Sequence, residues 1–357
     1  MVSSGPEVSV VMAVYNERPY LESAVQSILD QTFEDFEFII VNDGSTDGSG
    51  EVLDRFEQND ERIRLVHQEN RGLLTSTNRG LDMARGEYIA RMDGDDINHP
   101  ERFERQVAFL EDNPEIGILG TQADKIDADG NVREDWKRSL PTSSDIVTWQ
   151  LLFNICFCHP TIMMRRAVLD ELGGYMESPP GLDYELLARA VLKTRLTNLP
   201  DTLFKHRRHK GSVSVTGREE YTGKCAEAAA TLHDAILGPS ADEQIAKFLV
   251  WMERASLEAA IAETDVKDFS RVHEYLCFLY NACACRFFAG GSNIQVLRRA
   301  LRKLDTIADQ VLEGGKWRAG TTCKLKSWSI VSVGELFPLI RAVFRARTAR
   351  SSRFASF

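Results

Sequence analysis

From Val8 to about residue 120 the chain alternates short apolar runs with amphipathic ones, and this alternation limits the fold more than any other feature of the sequence. The stretches VSVVMAV (8–14), FEFIIVND (36–43), IRLVHQ (63–68) and EYIARMD (87–93) read as strands. Residues 20–31, 48–60 and 75–86 between them read as helices, and a fourth helix, ERFERQVAFLEDN, follows Pro100 at the first helical position. Strand, helix and strand in succession build βαβ units, so the expected class is α/β: a Rossmann-like, mostly parallel sheet with helices on both faces. Such sheets bind ligands outside the carboxyl ends of their strands.

Three of those ends carry unusual polar residues. Tyr15, Asn16 and Glu17 follow the first strand, Asn42-Asp43-Gly44-Ser45 the second, and the turn in ARMDGDDINHP sets Asp93, Asp95 and Asp96 around one glycine after the fourth. Carboxylates spaced as D-x-D can share a hard divalent cation, which neutralises their repulsion and leaves sites for phosphate oxygens. Alone, the same turn is also compatible with a solvated loop before a helix. Asp43 suits a ribose hydroxyl or a base N–H, Asp47 a helix cap, and Tyr15 either stacking on a planar base or simple packing. Further on, Asp183 and Glu185 open a helix behind a glycine- and proline-rich loop, as a favourable first turn or as a general base.

Between 140 and 215 the pattern predicts a helix (142–153), a strand (160–165), a helix (182–193) and paired strands near 195–208. Beyond Glu219 almost everything has helical periodicity, up to IQVLRRALRKLDTIADQVLEG (294–314). This gives residues 1–217 as one domain, with halves at about 7–120 and 121–217, and 218–357 as a helical module with a basic tail. Polar Gln150, Asn154 and His159 argue against a membrane span in the apolar stretch 146–164. The opening segment has no basic n-region, and seven scattered cysteines without zinc-ligand spacing read as reduced thiols, so a cytoplasmic location is expected.

The net charge of −10 conceals an asymmetry: from Lys316 to Phe357 nine basic residues face one acid, Glu335, a tail of +8 against −18 elsewhere. An acidic body excludes nucleic acid as the expected partner. Leu336, Ile340, Val343 and Phe344 share one side of a helix with Arg341 and Arg345 opposite, an arrangement that suits an anionic bilayer surface or a docked helix with solvated arginines.

In their order, the segments VSVVMAVYNE, IIVNDGSTDGS, ENRGLLTSTNRGLDMARGEYIARMDGDD, PERFERQ, HPTIMMRR, ELGGYMESPPGLDYELLARA and HRRHKGSVS resemble the family 2 glycosyltransferases, inverting enzymes of the GT-A fold. The resemblance covers about Glu7 to Ser214. It implies that Tyr15, Asn16, Glu17, Asp43 and Asp93 bind the nucleotide of a sugar donor, a UDP-hexose or UDP-N-acetylhexosamine. It implies further that Asp95, with Asp96 and His209, holds Mn²⁺ or Mg²⁺ on the diphosphate, that Asp183 deprotonates a hydroxyl of a glycan or lipid-linked acceptor, and that Glu185, Arg207 and Arg208 lie near the acceptor or a closing loop. Two positions depart from the family pattern. Thr77 precedes Asn78 where many relatives have a basic residue, so a phosphate contact falls to Arg71 or Arg79, and Leu182 stands where relatives often place Glu. A sugar nucleotidyltransferase would show a glycine-rich loop after the first strand, which AVYNERPYL lacks, and an inactive scaffold would not need both Asp95 and Asp183.

Overall fold

In the computed structural model, which describes residues 5–136, 139–176, 182–209, 218–254, 257–264, 266, 269–287 and 296, an eight-stranded sheet forms the centre. Four strands run parallel in the order β3 (Ile63–His67), β2 (Phe36–Asn42), β1 (Val8–Val14), β4 (Tyr88–Asp93). The sheet continues through β7 (Met163–Arg165), antiparallel to β4, and β6 (Ile116–Ile126), antiparallel to β7. It ends with β8 (Arg195–Arg207), parallel to β6, and the two-residue β5 (Ile97–Asn98).

Strands β1 and β2 are buried at every position, which is why they read as unbroken apolar runs. The two-residue period still sorts their side chains. Val8, Val10, Met12 and Val14 join a cluster with Leu21, Val25 and Ile28 of α1 (Arg18–Leu29), Val52 and Leu53 of α2 (Ser49–Asn59) and Phe103 and Val107 of α4 (Arg102–Asp112). Val11 and Ile39 point the other way, into a cluster with Leu81 of α3 (Leu73–Met83), Trp149 of α5 (Ser144–Leu151) and Leu187 of α7 (Leu182–Ala190). A short helix α6 (Arg166–Leu172) links β7 to the loop before α7. The second cluster runs on into helices α8 (Arg218–Leu237), α9 (Glu243–Arg254), α10 (Leu257–Thr264) and α11 (Phe269–Arg286), which contribute Leu232, Phe248, Ala260 and Leu279.

The elements read from the sequence up to residue 113 are all present, with ends shifted by two or three residues at most. The expected strand pair near 195–208 is instead one long strand, β8, whose partners are β6 and, towards its end, β5. Gly117 and Gly120 interrupt the apolar pattern of β6, and both are forced: an added Cβ would come within 2.3 Å of Thr194 Oγ1 at Gly117 and of Asn198 Oδ1 at Gly120. Register shifts along the β6–β8 ladder absorb the irregularity.

The polypeptide divides into two units, Met1–Val311 and Leu312–Phe357, and every described residue belongs to the first. The helix expected over 294–314, apart from Val296, and the basic amphipathic segment around Leu336 to Arg345 lie outside the described residues, as do Lys210 to Gly217. Among the described residues no helix is long and apolar enough to cross a membrane, and Cys156, Cys158, Cys225 and Cys283 stand outside any disulfide.

Candidate active site

Pairing registers bring the three polar strand ends to one edge. Val14 is level with Asn42 across the β1–β2 ladder, and Ala13 is level with Asp93 across the β1–β4 ladder. The chain leaves β1 through Asn16, which takes a positive φ of 56° that an asparagine tolerates. Its backbone N–H donates to Ser45 Oγ (3.0 Å), and its side-chain oxygen accepts from Thr46 N–H (2.8 Å), so the first two loops are tied together. Asp47 works as the sequence predicts: it accepts from Arg18 N–H at the start of α1 and from Ser49 at the start of α2. Tyr15 projects from this corner with 49% of its surface exposed, free to meet a planar group.

Asp43 is 2% exposed. Its carboxylate accepts from Gln68 Nε2 (2.7 Å), Arg71 N–H (2.8 Å) and Gly72 N–H (2.8 Å). Burial pushes its pKa up, yet the hydrogen bonds of Gln68, Arg71, Ser76 and Gly72 outweigh that and hold it below the ordinary aspartate value. Asp43 therefore organises the loop that leads into α3. Arg71 contributes its backbone to that arrangement, while Arg79 donates to Gln68 Oε1 (2.6 Å). Asn78, next to the atypical Thr77, makes a two-way contact with the backbone of Tyr175 (2.8 and 3.0 Å), pinning α3 to the loop ahead of α7.

The acidic turn is divided in function. Asp95 Oδ2 lies 3.0 Å from His209 Nε2, joining β4's end to the end of the described strand region after β8. Burial and then the charge of Asp93 push the Asp95 carboxyl up, and His209 pulls the other way. Asp96 is fully buried: one oxygen accepts from Arg207 N–H (2.7 Å) and the other has no partner. Burial, Asp95 and Asp93 raise its pKa well above the aspartate value. Glu17 resembles it, with one orphaned oxygen and a pKa raised well above normal by burial, Asp95 and Asp93. Gly94 allows this crowding, because a Cβ there would stand 1.8 Å from Glu17 Oε2.

These residues carry more negative charge than the protein neutralises, and two carboxylates with an imidazole are a donor set that suits Mn²⁺ and can serve Mg²⁺. Among the described residues no three His, Cys, Asp or Glu side chains already converge on one point, although the Asp95–His209 pair is formed. By the chemistry of their donors these residues fit such an ion, with Asp95 and His209 already side by side. Arg207 is less available than the sequence suggests: Nε donates to Asp95 O and Nη1 to the carbonyls of Asp127 and Ala128, and the guanidinium lies 4.7 Å from the Tyr20 ring centroid. Arg208 donates its backbone N–H to Ile126 O.

Asp183 stands at the first turn of α7 with 32% of its side chain exposed. Its Oδ2 accepts from Tyr221 O–H of α8 (3.3 Å), and its Oδ1 is 3.6 Å from His159 Nδ1. Glu185, on the same turn, is buried and ion-paired to Arg189, whose guanidinium also donates to the carbonyls of Leu172 and Gly174. That pair shapes the loop before α7, which removes Glu185 from the open crevice.

One residue the sequence reading passed over is Arg91. It sits in the middle of β4, is buried, and pairs with Asp93 Oδ1 at 2.9 Å while donating to Met92 O at 2.7 Å. Burial alone would lower its pKa, but Asp93, Tyr175 and Asp183 outweigh this and keep it charged. A cation inside an otherwise apolar strand, two residues before an acidic turn, was the available signal.

A profile described as "Glycosyl transferase family 2" matches residues 9–173. The putative glycosyltransferase EpsE of Bacillus subtilis (strain 168) is 39% identical over 176 residues, 49% of this chain and 62% of EpsE. The O-antigen biosynthesis glycosyltransferase WbnJ of Escherichia coli is 30% identical over 218 residues, 60% of this chain and 84% of WbnJ. Among solved structures, S. aureus TarS 1-349 in complex with UDP-GlcNAc superposes with a TM-score of 0.56 at 18% identity, over 87% of this chain and 93% of that one. Mannosyltransferase PcManGT from Pyrobaculum calidifontis, in complex with GDP-Man and Mn²⁺, gives 0.54 at 18% identity, over 87% and 88%. These likenesses show the fold to be GT-A.

Proposed function

The chain belongs to glycosyl transferase family 2, and from that premise we propose that it transfers a sugar from a nucleoside diphosphate donor to a hydroxyl of a glycan or lipid-linked acceptor, with inversion, in polysaccharide synthesis. The observation that carries this reading is the position of Arg91, which contacts Asp93 of the acidic turn and lies within electrostatic reach of Asp183, so that donor-side and acceptor-side carboxylates border one crevice. UDP-hexose or UDP-N-acetylhexosamine is the proposed donor class. TarS, solved with UDP-GlcNAc, supports it, and PcManGT, solved with GDP-Man, is the reason to test both nucleotides.

The chain's own residues divide the work. Tyr15 offers a face for the base, and Arg71 of the Asp43-organised loop and Arg79 of α3 are offered to the phosphates. Asp95 and His209 would hold Mn²⁺ or Mg²⁺, with Asp93 in reach and Asp96 behind them. The ion's contribution when bound is to stabilise charge on the departing diphosphate. Asp183 accepts the acceptor hydroxyl proton as its oxygen attacks the anomeric carbon from the side opposite the leaving group. The new C–O bond forms as the bond to the β-phosphate oxygen breaks, and a single displacement inverts the centre.

Calorimetric titration of UDP and GDP with and without Mn²⁺, on the intact protein and on Asp95→Ala, tests the donor side. Metal-dependent binding lost in the variant is expected, and no binding to the intact protein under either condition would overturn the assignment. On the acceptor side, Asp183→Asn should abolish transfer with nucleotide binding kept, and undiminished turnover would remove Asp183 from the role. We also propose peripheral attachment to the cytoplasmic membrane face through the basic tail, which failure to co-sediment with anionic liposomes at low salt would refute.

A further inference from the structure

The crevice contains a run of side chains that the transfer chemistry above leaves unused. Tyr175 Oη is 2.8 Å from His159 Nε2, and His159 Nδ1 is 3.6 Å from Asp183 Oδ1, with the charge of Arg91 of β4 acting on both Tyr175 and His159. Arg91, Tyr175 and His159 are all buried, and they come from three separate segments: a strand, the loop pinned by Asn78, and the short turn His159–Thr161. Among the described residues His159 Nε2 is the one hydrogen-bond partner of Tyr175 Oη, and a buried O–H needs an acceptor. The O–H then donates to His159 Nε2, and a neutral ring so bonded carries its proton on Nδ1, the nitrogen facing Asp183. Burial, the largest influence on His159, lowers its pKa.

We infer that His159 is a positioning residue for the acceptor base: its tautomer is set by Tyr175, and its Nδ1–H is aimed at Asp183 Oδ1, while Tyr221 holds Oδ2. The 3.6 Å separation is longer than a hydrogen bond, and it closes by a small torsion of either side chain when substrates fill the crevice, as catalytic contacts do on forming the reactive complex. Held at both oxygens, the Asp183 carboxylate has one orientation toward an incoming hydroxyl. This inference rests on Asp183 being the base.

Two substitutions separate the ring nitrogens. In His159→Asn the amide occupies the Nδ1 position and can still donate to Asp183, whereas in His159→Gln it occupies the Nε2 position and keeps only the Tyr175 contact. Turnover is read as nucleoside diphosphate released from UDP-N-acetylglucosamine, UDP-glucose or GDP-mannose with Mn²⁺, water serving as acceptor: its oxygen takes the sugar and its proton passes to Asp183. His159→Gln should lose about 10–100-fold in kcat, the range for removing a residue that orients a reacting ligand. His159→Asn should retain most of it, and UDP or GDP affinity should be unchanged in both. Equal turnover in wild type and His159→Gln, or a loss of nucleotide affinity parallel to the loss of kcat, overturns the inference.

Long-range ¹H–¹⁵N spectra of the full-length protein test the same point without a substrate. The His159 ring, assigned by its disappearance in His159→Asn, should be protonated on Nδ1 in the wild type and lose that preference in Tyr175→Phe. Protonation on Nε2 in the wild type overturns the inference. An Asp183→Asn variant that turns over normally would instead defeat the proposed base, so the two failures are distinguishable.

Discussion

Replacing Asp43 by asparagine asks whether this carboxylate is a loop organiser. One oxygen serves Gln68 Nε2 and Arg71 N–H, and the other serves Gly72 N–H. An amide has a single acceptor. With its carbonyl toward Gln68 and Arg71, its NH₂ is set against Gly72 N–H, leaving a donor without a partner at a site only 2% exposed. Loss of one hydrogen bond to a charged group, with the orphaned donor, costs about 1.5–3 kcal/mol. For a chain of this length that corresponds to a fall in Tm of roughly 2–4 °C. The folded-state pKa of Asp43 is depressed, so its stabilisation is fully present above the unfolded value, about 3.9, and is lost as pH falls through the folded value. The gap between wild type and variant should therefore be constant from pH 7 to pH 5 and shrink below about pH 4. Urea midpoints across that range and calorimetric titration with UDP measure both sides of the question. Unchanged midpoints together with abolished UDP binding would refute the reasoning and return Asp43 to direct nucleotide contact.

Other perturbations probe the same crevice. Arg91→Met removes a buried cation from Asp93 and Tyr175; breaking a buried pair costs about 3–5 kcal/mol, and partial exposure of Asp93 puts the expected loss at the low end, read from urea denaturation. Glu17→Gln should raise stability at pH 7.5, because the raised pKa means that ionising Glu17 in the fold is unfavourable, and the gain should vanish as pH falls toward about 4.5. A variant less stable than wild type at pH 7.5 would contradict it. Gly44→Ala combines a positive φ of 75° with a Cβ 2.8 Å from Asn70 N, so it should destabilise by at least about 1–2 kcal/mol, with thermal melting as the check.

How far the sequence carries depends on what makes each element. Strands β1 to β4 and their helices were legible because both sheet faces are covered, so local composition and burial agree. Strand β6 was not, since Gly117 and Gly120 are demanded by Thr194, Phe157 and Asn198, partners distant in sequence. The same distinction runs through the site. Tyr15, Asp43 and the acidic turn stand out because they follow strands at a predictable edge. Arg91, His159 and Tyr175 do not, because their significance is one of juxtaposition: a strand interior, a 3₁₀ turn and a loop meet only after β7 has paired with β4. Asp96, Glu185 and Arg207 carry partners that their residue types did not announce: one Asp96 oxygen accepts from Arg207 N–H, Glu185 pairs with Arg189, and the Arg207 guanidinium donates to backbone carbonyls.

Asp183 joins these two kinds of residue. Its place at the start of α7 would leave it a solvated first-turn acid, favoured by the helix dipole and unconstrained in rotation. Two contacts from outside the strand–helix pattern change that. One is His159. The other is Tyr221, on the helix that opens the C-terminal helical region, and it reaches Asp183 because α8 packs into the same apolar cluster as α7 through Cys225, Ala229 and Leu232. Arg254 of α9 lies 4.9 Å from the Tyr221 ring centroid and donates to Asn154 Oδ1, so the tyrosine is itself held from behind. The helical region thus reaches the carboxylates that the sheet sets at its edge: Asp43, Asp93 and Asp95 follow strand ends, whereas the surroundings of Asp183 depend on packing between helices.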